Sequence, residues 1–102
     1  MDPSNKKLNA IIYSNRALTF IKRKETFKAL DDLNKSLELN PEYSKSLMRR
    51  AELNMERGEY TAAIMDYSKI QELDPSCNMQ EKIKVAKKKE KEARKKDYYK
   101  IL

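Results

Sequence analysis

The sequence has no histidine, no tryptophan, one glycine, one cysteine and three prolines in 102 residues. Each scarcity excludes some chemistry. Without histidine there is no imidazole general base. One cysteine allows neither an internal disulfide nor a Cys/His cluster for a metal. That residue, Cys77, stands near a helix start and reads as a small packing side chain, and its solitude suits a reducing compartment. A single glycine leaves no material for a glycine-rich phosphate loop. No apolar run approaches the ~18 residues of a membrane helix, and the opening MDPSNKKLNA holds no apolar segment like that of a signal peptide. Strand-type alternation is also missing, so the composition suits long solvated helices and an all-α chain of at most one ordinary domain. No catalytic residue, metal site or cofactor is expected. Asp31 and Asp32 look like paired carboxylates, but neighbours on a helix diverge by about 100°, and they read as surface partners of Lys28 and Lys35.

What is abundant is charge, and it is uneven. The net charge is +7. Residues 1–78 carry 13 Lys/Arg against 12 Asp/Glu, whereas residues 79–102 carry 10 against 4, so the basic character belongs to the C-terminal quarter.

The second positive feature is a period of 34. Pro41 and Pro75, Ala17 and Ala51, and Ala29 and Ala63 are each 34 apart. In the same phase YSNRA (13–17) aligns with LMRRA (47–51), ALDDL (29–33) with AIMDY (63–67), and LELNP (37–41) with QELDP (71–75). Each unit divides into two helices. Tyr13, Ala17, Phe20 and Ile21 form one stripe, and Ala29, Leu30, Leu33 and Leu37 the next. In the second unit the stripes are Leu47, Ala51, Met55 and then Ala63, Ile64, Tyr67, Ile70. The small alanines let paired helices approach closely. Asn40-Pro41 and Asp74-Pro75 end the second helix of each unit, because proline disfavours α geometry in the residue before it. Arg57-Gly58 supplies the turn inside the second unit, and RKET (23–26) is its counterpart in the first.

This 34-residue helix–turn–helix resembles the tetratricopeptide repeat. The expected organisation is the end of a preceding repeat or a linker over 1–9, repeats over 10–43 and 44–77, a capping helix and basic linker over 78–96, and a further segment over 97–102. Met79, Ile83 and Ala86 supply the apolar face of the capping helix. MDPSN is similar to the end of a repeat, so the chain reads as an excerpt of a longer array, with an exposed apolar flank at Ile11 and Ile12. There are departures from strict repetition. Phe27 is displaced by one position relative to Tyr60, Asn54 stands where the first unit has Phe20, and Gln71 where it has Leu37. The closing DYYKIL (97–102), following a repeat array and a basic run, resembles the opening of a J domain, and the whole chain is similar to DnaJ-type co-chaperones. The His-Pro-Asp loop of J domains is absent, so the chain is not expected to stimulate an ATPase.

That resemblance gives meaning to SKSLMRRA (44–51). Lys45 and Arg49 stack at i and i+4, a like-charge pair that costs a helix on the order of 0.2–0.5 kcal/mol. In repeat arrays the first helices line a concave groove. Some tetratricopeptide domains clamp the C-terminal carboxylate of chaperone tails ending Glu-Glu-Val-Asp, with an Asn in one helix and a Lys-x-x-x-Arg in the next. Asn15, Lys45 and Arg49 match that pattern, with Ile11, Met48 and Met55 as groove-lining residues. The competing interpretation is a charged stripe in which Glu52 and Glu56 pair with Lys45 and Arg49, while Arg16 and Arg50 are plain surface charge. The function implied by the resemblance is a cytoplasmic co-chaperone interaction module with heat-shock-seventy and heat-shock-ninety chaperones as partners. The alternative is a scaffold that holds apolar segments of unfolded clients without needing a free carboxylate. An enzyme, a membrane partner and a nucleic-acid partner are not expected.

Overall fold

A computed structural model describes the backbone of residues 4–101 and the side chains of 4–96. The helices run in the order α1 (Lys6–Lys22), α2 (Thr26–Leu39), α3 (Ser44–Glu56), α4 (Tyr60–Leu73) and α5 (Gln80–Ile101), with no strand among the described residues. α1 pairs with α2 and α3 with α4; α2 contacts α3, and α5 lies against α4. The architecture is two stacked helical hairpins followed by a long helix. α1 starts four residues before position 10. It is capped by Asn5, whose side-chain oxygen accepts from Leu8 N–H at 3.0 Å.

The turns inside the two hairpins are the same structure built from different residues. Gly58 has φ +76°, and Lys24, 34 positions earlier, has φ +59°. After each, the chain closes a Schellman motif: Glu25 N–H donates to Phe20 C=O (2.9 Å) and Lys24 N–H to Ile21 C=O (3.0 Å), as Glu59 does to Asn54 (2.8 Å) and Gly58 to Met55 (3.2 Å). The turns after α2 and α4 also correspond. Asn40 and Asp74 are extended before their prolines, and each side-chain oxygen accepts from the backbone N–H two residues on, Glu42 at 3.3 Å and Ser76 at 3.1 Å.

Ala17, Ala29, Ala51 and Ala63 are all fully buried, which places each where two helices meet most closely. The core forms two interlocked clusters. Leu53 of α3 joins Ala17, Ala29, Leu30 and Leu33 of the first hairpin, while Leu37 of α2 joins Leu47, Ala51, Ala63, Tyr67 and Ile70 of the second. Each hairpin thus lends a leucine to its neighbour, the one-dimensional stacking of a repeat protein. A buried polar link reinforces the joint: Ser36 Oγ donates to Ala10 C=O and lies 2.7 Å from Ser46 Oγ.

The departures from repetition have local causes. Gln71 bridges the longer α4–α5 connection, donating to Pro75 C=O (3.0 Å) and accepting from Met79 N–H (2.8 Å), a polar task for which Leu37 has no counterpart. Displaced Phe27 lies outside the core, 72% exposed, with the Arg57 guanidinium 5.4 Å over its ring. One expectation is corrected. Cys77 does not pack: it is exposed, and its thiol donates to Asp74 Oδ2 at 3.4 Å because the turn holds that carboxylate beside it. Met79 and Ala86 are buried and Ile83 half-buried, so the expected face of α5 does cover the second hairpin. The run 87–96 is helical, and α5 continues without a break past 97. The side chains of DYYKIL lie outside the described residues.

Candidate peptide-binding groove

α3 positions most of the residues of interest. Its inner face holds Leu47, Ala51 and Leu53 in the core. Lys45 and Glu52 point outward and are exposed, while Met48 and Met55 are half-buried against the second core cluster. Met55 also lines a groove of about 320 Å³ with Glu52 of the same helix, Tyr67 of α4, and Glu81, Lys82 and Val85 of α5. The Lys82 ammonium sits 5.9 Å over the Tyr67 ring. Burial first, and the nearby Glu52 charge second, push the Tyr67 hydroxyl pKa above its ordinary value.

Arg49 reaches across to α1. Its Nη1 donates to Ser14 C=O at 2.9 Å and to Ser14 Oγ at 2.8 Å. The guanidinium is therefore fastened on the turn of α1 that carries Asn15, and one of its nitrogens is already committed. This revises the expectation that the whole group awaits a ligand. The reason is geometric: buried Ser14 offers two acceptors within reach of a half-buried arginine. Asn15 and Lys45 are exposed and make no side-chain hydrogen bond or ion pair among the described residues. Ile11 is 40% exposed on α1, beside Leu8 (45%) and Ile12 (40%), which makes that end of the stack an apolar surface.

The ion-paired stripe is not what forms. Among the described residues neither Glu52 nor Glu56 bonds to Lys45 or Arg49. The ion pairs lie elsewhere, and they include a pattern that the sequence reading missed. Arg16 donates through Nε and Nη2 to both oxygens of Asp32, each at 2.7 Å, and Arg50 does the same to Asp66, each at 2.8 Å. Arg50 Nη1 adds a bond to Asn34 Oδ1 at 2.9 Å. Asp32 and Asp66 are 2% and 5% exposed. The hydrogen bonds that Arg16 donates to Asp32, followed by the Asp32 charge, push the Arg16 pKa up; for Arg50 the bonds to Asp66 outweigh the opposing effect of burial. Arg16 and Arg50 are thus not plain surface charge, and Asp32 does not serve Lys28 or Lys35; Lys28 instead lies 3.6 Å from Glu25. The signal was present in the sequence, since arginine and aspartate both recur at a spacing of 34.

No protein-family model matches the chain. Over its whole length it is 38% identical to the DnaJ homolog subfamily C member 7 homolog of Dictyostelium discoideum and 33% identical to DnaJ homolog subfamily C member 7 of Homo sapiens. It spans only about a fifth of those relatives, 19% and 21% of their lengths. A solved structure described as "TPR2B-domain:pHsp70-complex of yeast Sti1" superimposes with a TM-score of 0.67 at 24% identity, over 83% of this chain and 70% of that one. Hairpin stacking, the 34-residue period and this superposition define the class: the chain is a tetratricopeptide-repeat segment. The whole-chain likenesses place it further, as a tetratricopeptide segment of the DnaJ type. No helix among the described residues is long and apolar enough to cross a membrane.

Proposed function

We propose that this segment is a co-chaperone interaction module that receives the acidic C-terminal tail of a heat-shock-seventy or heat-shock-ninety chaperone, with Asn15, Lys45 and Arg49 as a partial carboxylate clamp. The observation that carries this reading is the state of two of the three cations on α3. Lys45 and Arg49 face no carboxylate among the described residues, although Glu52 and Glu56 share their helix. A ligand carboxylate supplies the missing counter-charge. Arg49, held at Nη1 by Ser14, brings a pre-oriented planar donor group; Lys45 brings a mobile point charge and Asn15 an amide donor. Ile11, Met48 and Met55 would flank the bound peptide. The DnaJ relatives support a co-chaperone role, and the pHsp70 complex of the yeast Sti1 domain supports a partner of the heat-shock-seventy type. The compartment that this reading implies is the cytoplasm. Its part is non-covalent capture, so the module itself is not catalytic.

The test is fluorescence anisotropy with a labelled peptide ending Glu-Glu-Val-Asp and a C-terminally amidated copy. Lys45→Ala and Asn15→Ala carry the test, because Arg49→Ala would also release the α3–α1 bonds. Amidation and Lys45→Ala are each expected to weaken binding by roughly tenfold or more, about 1.4 kcal/mol. Equal binding of the free and amidated peptides would overturn the clamp and favour the client-holding alternative, since apolar capture needs no terminal carboxylate.

A further inference from the structure

The basic C-terminal quarter becomes a specific object once it is a helix. Taking 100° per residue, Lys84, Lys87, Lys88, Lys91 and Lys95 fall within an arc of about 100° on α5, opposite the face that buries Ala86. All five are exposed, none forms an ion pair among the described residues, and no carboxylate falls inside the arc. The acid that does have partners lies outside the arc, about 60° beyond Lys87: Glu90 accepts from Thr61 of α4 and pairs with Arg94 at 3.2 Å. Met79, Ile83 and Ala86 pack against the second hairpin, so α5 cannot freely turn its lysines elsewhere. The result is a fixed cationic ridge about 16 Å long at 1.5 Å per residue. Its lysines neighbour one another at i+3 and i+4 and repel, an arrangement that a polyanion relieves.

We infer that this ridge is a docking surface for the phosphate backbone of a double-helical nucleic acid, read by charge and not by sequence. Three features favour that partner. The ridge follows one uninterrupted helix, and a duplex presents a stiff row of charge, one per ~1.7 Å of its axis. Over residues 84–95 the arc is all lysine, point charges that suit phosphates along a backbone, and among the described side chains it holds neither the bidentate arginine forks nor the aromatic platforms that read bases or single strands. An anionic membrane fits less well, because α5 buries its apolar face and leaves Val85 as its one large hydrophobic residue exposed among those described. The basic run by itself reads first as solvated surface and did not favour a nucleic-acid partner; the arc is what the fold adds. The inference rests on α5 alone and is independent of the peptide clamp.

The test measures binding of the chain to a labelled duplex RNA and a duplex DNA of matched sequence across a salt series. Both are expected to bind at low salt, insensitive to sequence shuffling. With four to five phosphates neutralised, log K should fall against log salt with a slope of about −4. Lys87→Gln, Lys88→Gln and Lys91→Gln together should flatten that slope by roughly 3 while leaving helix content and Glu-Glu-Val-Asp peptide binding unchanged. Absence of duplex binding at low salt overturns the inference, as does a slope that the triple variant leaves unchanged. Binding to anionic vesicles or to poly-glutamate in place of the duplexes, lost in the same variant, would also overturn it and reassign the ridge.

Discussion

Truncating Arg50 tests whether the recurrent arginine–aspartate pairs hold the hairpins together. Asp66 has a side chain 8% exposed, and both of its oxygens bond to Arg50, whose own side chain is 28% exposed. Removing one partner of a buried pair typically costs about 3–5 kcal/mol, because the other charge stays buried without compensation. Arg50 is partly exposed, so water entering the vacated space offsets some of this, and Arg50→Ala is expected to cost about 3 kcal/mol. The first hairpin provides the internal comparison. Arg16 is 56% exposed and lies between Asp32 (3% exposed) and solvent, so its removal uncovers the carboxylate to water. Screening discounts that pair, and Arg16→Ala should cost about 1 kcal/mol. The assay is urea unfolding followed by far-ultraviolet circular dichroism, with the midpoint shifting at constant m. Arg50→Lys keeps the charge but loses the fork and should fall between wild type and alanine. Arg50→Met combined with Asp66→Leu should recover stability to within about 1 kcal/mol of wild type, since no charge is left stranded. The reasoning fails if Arg50→Ala costs less than about 0.5 kcal/mol, the range of an ordinary surface change. It also fails if Arg16→Ala proves the costlier of the two.

Lys24→Gly should stabilise the chain by about 1 kcal/mol in the same unfolding assay, because Lys24 holds the left-handed conformation that its counterpart Gly58 adopts without a Cβ penalty. Bonds from the Ser76 side chain and backbone, then from Cys77, hold the Asp74 carboxyl below its ordinary pKa. The contribution of Asp74 to stability is therefore present above its unfolded pKa near 3.8 and lost as pH falls through the depressed folded value, so Asp74→Asn should flatten the acid limb of a stability–pH curve. The same contact, hydrogen bond first and charge second, pushes the Cys77 thiol pKa up, so iodoacetamide should alkylate it more slowly at mildly alkaline pH than a thiol in a short peptide, and Asp74→Asn should remove the difference. Tyr67 has its folded pKa raised above 10.0, so its contribution is complete below that pH and is lost as pH rises through the folded value. Tyr67→Phe should flatten the alkaline limb.

The hairpins and most of the core were legible in the sequence because apolar periodicity and proline placement are local signals, read within a turn or two of helix. The positive φ of Lys24 was not legible as such: lysine carries no mark of left-handed geometry, and only its register with Gly58 points there. Cys77 was misread because burial depends on the direction of the α4–α5 turn, which Gln71 sets through bonds to Pro75 and Met79. The Asp32 and Asp66 pairs escaped because each joins residues 16 apart on opposite arms of a hairpin, beyond the reach of a single helical wheel.

Among the charged residues, repetition itself separates two roles. Arg16 and Asp32 recur as Arg50 and Asp66, and both sets form the same bidentate bond between the arms of their hairpin. A group demanded by the hairpin must appear in every hairpin. The clamp residues behave in the opposite way. Lys45 stands opposite Ile11 in the alignment and Arg49 opposite Asn15, so no shared structural need explains these two cations of α3. Arg49 does contribute to packing through Ser14, but that bond satisfies only Nη1 and leaves its charge without a carboxylate among the described residues. The arginine and aspartate that recur here are held by the fold, whereas Lys45 and Arg49 break the repeat and meet no carboxylate among the described residues, which leaves their charge available to a ligand. By that criterion Lys45, not the better-bonded arginines, is the residue whose removal should separate binding from stability.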